Sequence, residues 1–152
     1  MALALVPWSA MPTLPRNYLS LTVDFSNATW NTVASHEIFT VTGRVRVVIL
    51  PICTEDLAGA TATIALEDDG AAAAYIAATT GTDIDSGEVW LSTTPATSYA
   101  WSSVVDRVIN GADIGYTIAT AALSDGTIVF HCWWDDLGDG TANVVQGAGG
   151  TL

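Results

Sequence analysis

The stretch HEIFTVTGRVRVVIL, residues 36–50, decides the fold. Apolar and polar side chains alternate along it, which is the period of a β-strand with one buried face. One face carries Phe39, Val41, Val45, Val47 and Ile49, and the other carries Thr40, Thr42, Arg44 and Arg46. Gly43 falls on the apolar face, where we expect a bulge or a bend within one long strand. Pro51 ends the clean pattern.

Similar alternation or β-branched composition recurs along most of the chain. It predicts further strands over 19–25, 60–67, 71–80, 88–92, 101–109, 115–123 and 127–134. The alanines in 71–80 favour helix and 101–109 also fits helical spacing, but the flanking turn residues favour strands in both segments. Asp69-Gly70 and Ser124-Asp125-Gly126 predict hairpins between the strands on either side. About eight strands and almost no helix predict an all-β fold, an antiparallel β-sandwich that is jelly-roll-like.

Three segments are expected in this single domain-sized chain: an extended N-terminal arm over 1–18, a β-sandwich domain over 19–137 and a glycine-rich C-terminal tail over 138–152. The arm has no charge before Arg16, and three prolines interrupt its apolar run, so neither a signal peptide nor a membrane span is well supported. Its apolar residues need a surface to cover them, either on their own domain or on a neighbouring subunit. The candidates for such an interface are Leu5, Trp8, Met11 and Leu14.

The charge of the chain disfavours two kinds of partner, and the spacing of its cysteines disfavours a metal site. The chain has no lysine, four arginines and a formal net charge of −12, which disfavours nucleic acid and anionic membrane surfaces as partners. The two cysteines, Cys53 and Cys132, lack the spacing of a metal site and lie in apolar, strand-like surroundings. We expect buried thiols, with a disulfide between them as the alternative.

No catalytic, cofactor or metal site is predicted. His36 and His131 are the only histidines, and neither belongs to a hydrolase or metalloprotease motif. Two acidic segments could offer oxygen ligands to calcium, but neither fits the EF-hand spacing, and turn-forming roles are favoured. Those acids are Asp83, Asp85 and Glu88 in one segment, and Asp135, Asp136 and Asp139 in the other.

Tryptophan and arginine are the residues that point to partners. Six tryptophans are many for 152 residues, and they suit core or subunit packing or, as an alternative, stacking on carbohydrate. The adjacent Trp133 and Trp134 must face opposite sides of a strand. Arg44 and Arg46 share one strand face, where they are either solvated charges or clamps on acidic groups of a neighbouring subunit.

The run from residue 36 to residue 70, with TDIDSGEVWLSTTP (82–95) and DGTIVFHCWWDDL (125–137), resembles virion structural proteins of tailed bacteriophages. In style it is similar to the small β-rich auxiliary proteins that decorate or cement capsids. The resemblance implies a non-enzymatic subunit, often trimeric, that binds the major capsid protein and copies of itself on the capsid surface, after assembly in the bacterial cytoplasm. A tail, neck or fibre component that binds host glycan is the alternative.

Overall fold

Two antiparallel β-sheets, packed face to face, form the body of the protein. The computed structural model describes residues 14–70 and 73–152, so Leu5, Trp8 and Met11 of the expected arm lie outside the described residues. The strands are β1 (Asn17–Asp24), β2 (Ser35–Thr42), β3 (Arg44–Ala58), β4 (Thr63–Asp68), β5 (Ile76–Thr80), β6 (Val105–Asn110), β7 (Ile114–Ala119), β8 (Asp125–Asp136) and β9 (Asn143–Gln146). A short helix α1 (Ala28–Asn31) and two 3₁₀ turns (Gly81–Asp83 and Trp101–Ser103) complete the elements. The predicted all-β sandwich is confirmed, with nine strands in place of about eight.

The strand order is that of a jelly roll. The four-stranded sheet has the order β1-β8-β3-β6, and the five-stranded sheet has the order β5-β4-β7-β2-β9. The pairs β1–β8, β2–β7, β3–β6 and β4–β5 are all antiparallel, so the first eight strands follow the path of one long hairpin that is rolled up. The roll places consecutive strands of each arm of the hairpin in alternate sheets, which no local sequence pattern encodes.

Gly43 forms a corner between the two sheets. The sequence had suggested instead that it lies at a bulge or a bend within one long strand. Strand β2 lies in the five-stranded sheet and β3 in the four-stranded sheet. Gly43 has a φ of +71°, and Gly111, between β6 and β7, has a φ of +67°. The amide of Gly111 donates a 2.9 Å hydrogen bond to the carbonyl of Gly43. Both arms of the rolled hairpin therefore change sheets at the same place, with glycines at the positions that need a left-handed backbone.

The prediction of a hairpin across Ser124-Asp125-Gly126 is wrong. Strand β7 pairs with β2 and β4, whereas β8 lies in the other sheet between β1 and β3. Residues 120–124 carry the chain from one sheet to the other, and Asp125 and Gly126 already belong to β8. The hairpin at Asp69-Gly70 is confirmed by the pairing of β4 with β5, although the connection extends from 69 to 75.

Two further strand predictions need correction. The segment 88–92 is not a regular strand, since Val89 forms only isolated bridges with Ile52 and Ala96. Conversely, Pro51 does not end β3, which continues to Ala58. The carbonyl of Pro51 accepts a hydrogen bond from the Trp90 amide, so its nitrogen also points away from β8 and the missing N–H costs no bond of that ladder.

The C-terminal segment belongs to the sandwich and is not a separate tail. Strand β9 pairs with β2, and Val144 is buried. Beyond β9, the Gly147 amide donates to the carbonyl of Ile38 at 2.8 Å. This short segment has only two valines, which are adjacent and do not alternate with polar residues. Its glycine-rich composition therefore suggested a tail.

Alternate residues of both sheets fill one core. Phe130 of β8 stacks on Tyr116 of β7 with ring centroids 6.0 Å apart, which joins the two sheets at the centre. The hydroxyl of Tyr116 donates to the Trp30 carbonyl at 2.7 Å, so this buried polar atom has a partner. Trp30 itself is partly buried and packs against the core.

Substitution of Gly126 and Gly70 by alanine separates backbone strain from packing. Both glycines have nearly the same φ, +105° and +103°. A Cβ at Gly126 would lie 2.6 Å from the Asp56 carbonyl oxygen, whereas one at Gly70 would meet nothing within 4 Å. We expect Gly70→Ala to lower the free energy of unfolding by about 1–2 kcal/mol, and Gly126→Ala by a further 1–3 kcal/mol or so. Urea denaturation measures both values, and equal losses would contradict the predicted clash.

Candidate interaction face

The outward side of the four-stranded sheet, here called the outer face, is built from residues that the strand register aligns in rows across the sheet. One row is Tyr18 of β1, Trp133 of β8, Val48 of β3 and Asp106 of β6. The next rows are Ser20, His131 and Leu50 on one side, and Asp135, Arg46 and Val108 on the other. Residues of four strands that are far apart in sequence therefore meet on one surface.

Three aromatic side chains form a cluster on the outer face. The hydroxyl of Tyr18 and Nδ1 of His131 share a hydrogen bond of 2.7 Å. The Trp133 ring lies 5.2 Å from the ring of Tyr18 and 6.1 Å from that of His131, between centroids. Tyr18 is 52% exposed, and His131 and Trp133 are half-buried. The adjacent Trp134 packs against the core, so the prediction that the two tryptophans face opposite sides is confirmed.

A group of charged residues borders this aromatic cluster and is here called the charged row: Arg46, Asp106, Asp135 and Arg16. Arg46 binds Asp106 in a bidentate manner, with Nε–Oδ1 at 3.0 Å and Nη2–Oδ2 at 2.7 Å. The hydrogen bond to Asp106 raises the pKa of Arg46, so the guanidinium remains charged. Asp135 accepts a 2.9 Å hydrogen bond from the Arg16 amide. The carboxylate that Arg46 clamps thus belongs to its own chain, while Arg44 is exposed at the start of β3.

A long irregular loop over 84–104 packs beside the outer face and shapes two pockets. The larger pocket has a volume of about 380 Å³ and is lined by Val48, Trp101, Ser102, Val104 and Asp106. The smaller pocket, of about 220 Å³, is lined by nine loop residues: Val89, Leu91, Ser92, Thr94, Ala96, Ser98, Tyr99, Ala100 and Ser103. The side chains of Tyr99 and Trp101 are 42% and 36% exposed.

Trp90 anchors this loop. Its side chain is fully buried, and its indole nitrogen donates a 2.9 Å hydrogen bond to Oγ1 of Thr79, which is also buried. Sequence reasoning placed only residues 93–100, around Pro95, in a loop and missed its full extent, because the apolar residues on either side suggested strands. Between Val89 and Val105 the loop has no charged side chain and many hydroxyl groups, and this composition could have predicted it.

The structure does not bring the two histidines together. His36 is buried in the other sheet, where Nε2 lies 2.9 Å from the Thr32 carbonyl oxygen and the ring contacts Tyr116. His131 lies on the outer face with Tyr18 as its hydrogen-bond partner. Neither partner is a carboxylate, so neither histidine is oriented as the base of a hydrolytic dyad.

The two acidic segments serve turns. Asp136 accepts from the Gly138 amide at 2.6 Å, and Asp139 accepts from the Thr141 amide at 3.2 Å. In the other segment, Glu88 accepts from the Asp85 amide at 3.0 Å. Among the described residues, no group of three or more His, Cys, Asp or Glu side chains could hold a metal ion. The prediction of turn-forming roles is confirmed for Glu88, Asp136 and Asp139, whereas Asp135 lies within β8 and accepts from the Arg16 amide.

Comparison with known proteins identifies no relative of this chain. No protein-family model, curated protein or solved structure matches it. Within residues 14–70 and 73–152, no helix is long and apolar enough to cross a membrane.

The buried cysteines provide a test of the core. Cys53 and Cys132 are both buried free thiols, as predicted, and burial raises their pKa values to about 11 and about 12. At pH 8 about one Cys53 thiol in a thousand is then ionised, and fewer at Cys132. We expect no fast reaction with Ellman's reagent in the folded protein and reaction of both thiols in guanidinium chloride. Fast labelling of either cysteine without denaturant would contradict this packing.

The aromatic cluster predicts a titration. Burial lowers the pKa of His131 below its ordinary value of 6.5, so we expect a neutral imidazole at pH 7. This group therefore contributes stability above pH 6.5, and the contribution is lost as the pH falls through the folded-state pKa. Trp133→Ala should raise the pKa of His131 towards 6.5 in an NMR titration, whereas Val108→Ala, on strand β6 and two rows away from His131, should leave it unchanged. A wild-type midpoint at or above 6.5 would contradict the prediction.

Proposed function

We propose that this protein is a non-enzymatic structural subunit of a tailed-bacteriophage virion, which decorates and stabilises the head. In this proposal it binds the major capsid protein lattice and neighbouring copies of itself, as a homo-oligomer and most simply a trimer. The resemblance over 36–137 supports the class of protein. The jelly roll agrees with it, because this architecture is common in viral capsid domains, although a fold alone does not define a function.

The observation that carries the proposal is the composition of the outer face. Its partly exposed side chains include Tyr18, Trp133 and Arg46, and tyrosine, tryptophan and arginine are the types most enriched at the energetic centres of protein interfaces. The exposed Val108 extends the same face along β6. Such a surface binds another protein by burying aromatic rings, while the charged row sets the orientation.

The N-terminal segment joins the domain beside this face. Leu14 is 43% exposed. The backbone amide of Arg16 donates a hydrogen bond to Asp135 at the end of the charged row. Residues 1–13 carry no charge and include Leu5, Trp8 and Met11. The proposal assigns these apolar residues, with Leu14, to contacts between subunits. Buried apolar area contributes about 25 cal/mol per Å², and repetition of the contact over a lattice increases the avidity.

Binding to heads assembled without this protein tests the proposal. The double substitution Tyr18→Ala/Trp133→Ala should weaken head binding by about tenfold or more, because it removes the aromatic centre of the face. Val145→Ala is a matched control, since this residue is 45% exposed on β9 of the other sheet, and it should bind as the wild type does. Co-sedimentation with purified heads measures the bound fraction, and circular dichroism checks the fold of each variant.

Copy number decides between the head and the alternative location. Decoration predicts stoichiometric amounts relative to the major capsid protein, and particles that rupture more readily without this chain. Roughly six or twelve copies per particle, as the symmetry of a neck or tail ring requires, would favour the alternative. Absence of the wild-type protein from heads would overturn the proposal.

A further inference from the structure

We propose that the 84–104 loop and strand β6 form a binding site for a neutral oligosaccharide. The site consists of the two pockets on either side of the 3₁₀ turn Trp101–Ser103. This inference goes beyond the role in the virion, and it concerns the isolated protein, so it stands or falls without any capsid contact.

The loop has the composition of a surface for uncharged, hydroxyl-rich ligands. Residues 89–105 contain no charged side chain, and seven of them are serine or threonine. Loops of this length without regular structure are uncommon in compact domains and are often binding loops. Trp90 and the bridges of Val89 with Ile52 and Ala96 hold this loop on the sheet, so its pockets exist before a ligand arrives.

The larger pocket combines the groups that recognise a sugar ring. The partly exposed indole of Trp101 offers an apolar face against which the C–H side of a pyranose can stack. The carboxylate of Asp106 accepts hydrogen bonds from sugar hydroxyls, and the hydroxyl of Ser102 can donate or accept. The volume of about 380 Å³ lies in the usual range of ligand pockets, about 300–1,000 Å³.

The smaller pocket extends the site to more than one sugar ring. It is lined by the hydroxyl-bearing residues Ser92, Thr94, Ser98 and Ser103 and by Tyr99. It shares the turn Trp101–Ser103 with the larger pocket, which has Trp101 and Ser102 in its wall. A linear oligosaccharide can therefore place one ring against Trp101 and the next towards Tyr99.

Charge selects a neutral ligand over an ionic one. Asp106 is the one charged residue in the described lining of the larger pocket, and Arg46 neutralises it, so this lining offers no net charge to an anion or to a cation. The formal net charge of −12 also repels acidic glycans and nucleic acid. The lining therefore complements a ligand that has uncharged hydroxyl groups and apolar ring faces.

Isothermal titration calorimetry with maltotriose, cellotriose and N,N′,N″-triacetylchitotriose tests the site, with trigalacturonate as the anionic comparison. We expect saturable binding of at least one neutral trisaccharide. Trp101→Ala should abolish it, Trp101→Phe should retain most of the affinity, and Asp106→Asn should weaken it about tenfold or more. Tyr18→Ala is the matched control, because it removes an exposed aromatic ring from the far edge of the same sheet, and it should leave the affinity unchanged.

Three results would overturn the proposal: no saturable binding of any neutral trisaccharide up to 20 mM or so, equal loss on Tyr18→Ala and Trp101→Ala, or trigalacturonate binding at least as tightly as the neutral sugars. Circular dichroism and thermal unfolding establish that each variant is folded. Chemical-shift changes in ¹H–¹⁵N spectra should be confined to the 84–104 loop and β6. Shifts confined to the aromatic cluster would also overturn the assignment.

Discussion

The hydrogen bond between the Gly111 amide and the Gly43 carbonyl holds the corner at which both arms of the rolled hairpin change sheets. The left-handed backbone at each glycine turns β2 into β3 and β6 into β7 at the same end of the sandwich. Every later feature depends on this crossing, because it sends β3 and β6 to one sheet and β2 and β7 to the other. A Cβ at Gly43 would lie 3.1 Å from Ala142, so the corner is also closely packed against the segment before β9.

The outer face and the loop pockets are consequences of this topology. β8 lies between β1 and β3, which places Trp133 between Tyr18 and Val48 in one row. β6 completes the sheet and brings Asp106 within reach of Arg46. The connection from the 3₁₀ turn Gly81–Asp83 to β6 leads from one sheet to the other, and the anchored 84–104 loop makes this connection. The aromatic cluster and the pockets thus occupy neighbouring parts of one side of the molecule, and Val48 and Asp106 belong both to the outer face and to the larger pocket.

A few polar groups are buried in the sandwich, and they differ in whether an internal hydrogen-bond partner satisfies them. Tyr116 and Trp90 are both fully buried, and each donates its one hydrogen bond to an internal acceptor. His36 has a partner for Nε2, whereas Nδ1 has none in the described part of the chain. The ion pair of Arg46 is instead kept at the surface, where its desolvation costs little.

The sequence by itself determined the fold class, most strand positions, the buried cysteines and the turn-forming acids, because alternation and turn chemistry are local properties. It could not determine which strands pair. The same Asp-Gly dipeptide forms a hairpin turn at Asp69-Gly70 and begins strand β8 at Asp125-Gly126, and only the packing of the whole core distinguishes them. For the same reason the candidate site could not be predicted: Tyr18, Trp133 and Asp106 come to lie in one row only through the register of four strands. The sequence suggested solvent or an acidic group of a neighbouring subunit as the partner of Arg46, whereas the tertiary structure pairs it with Asp106 of the same chain.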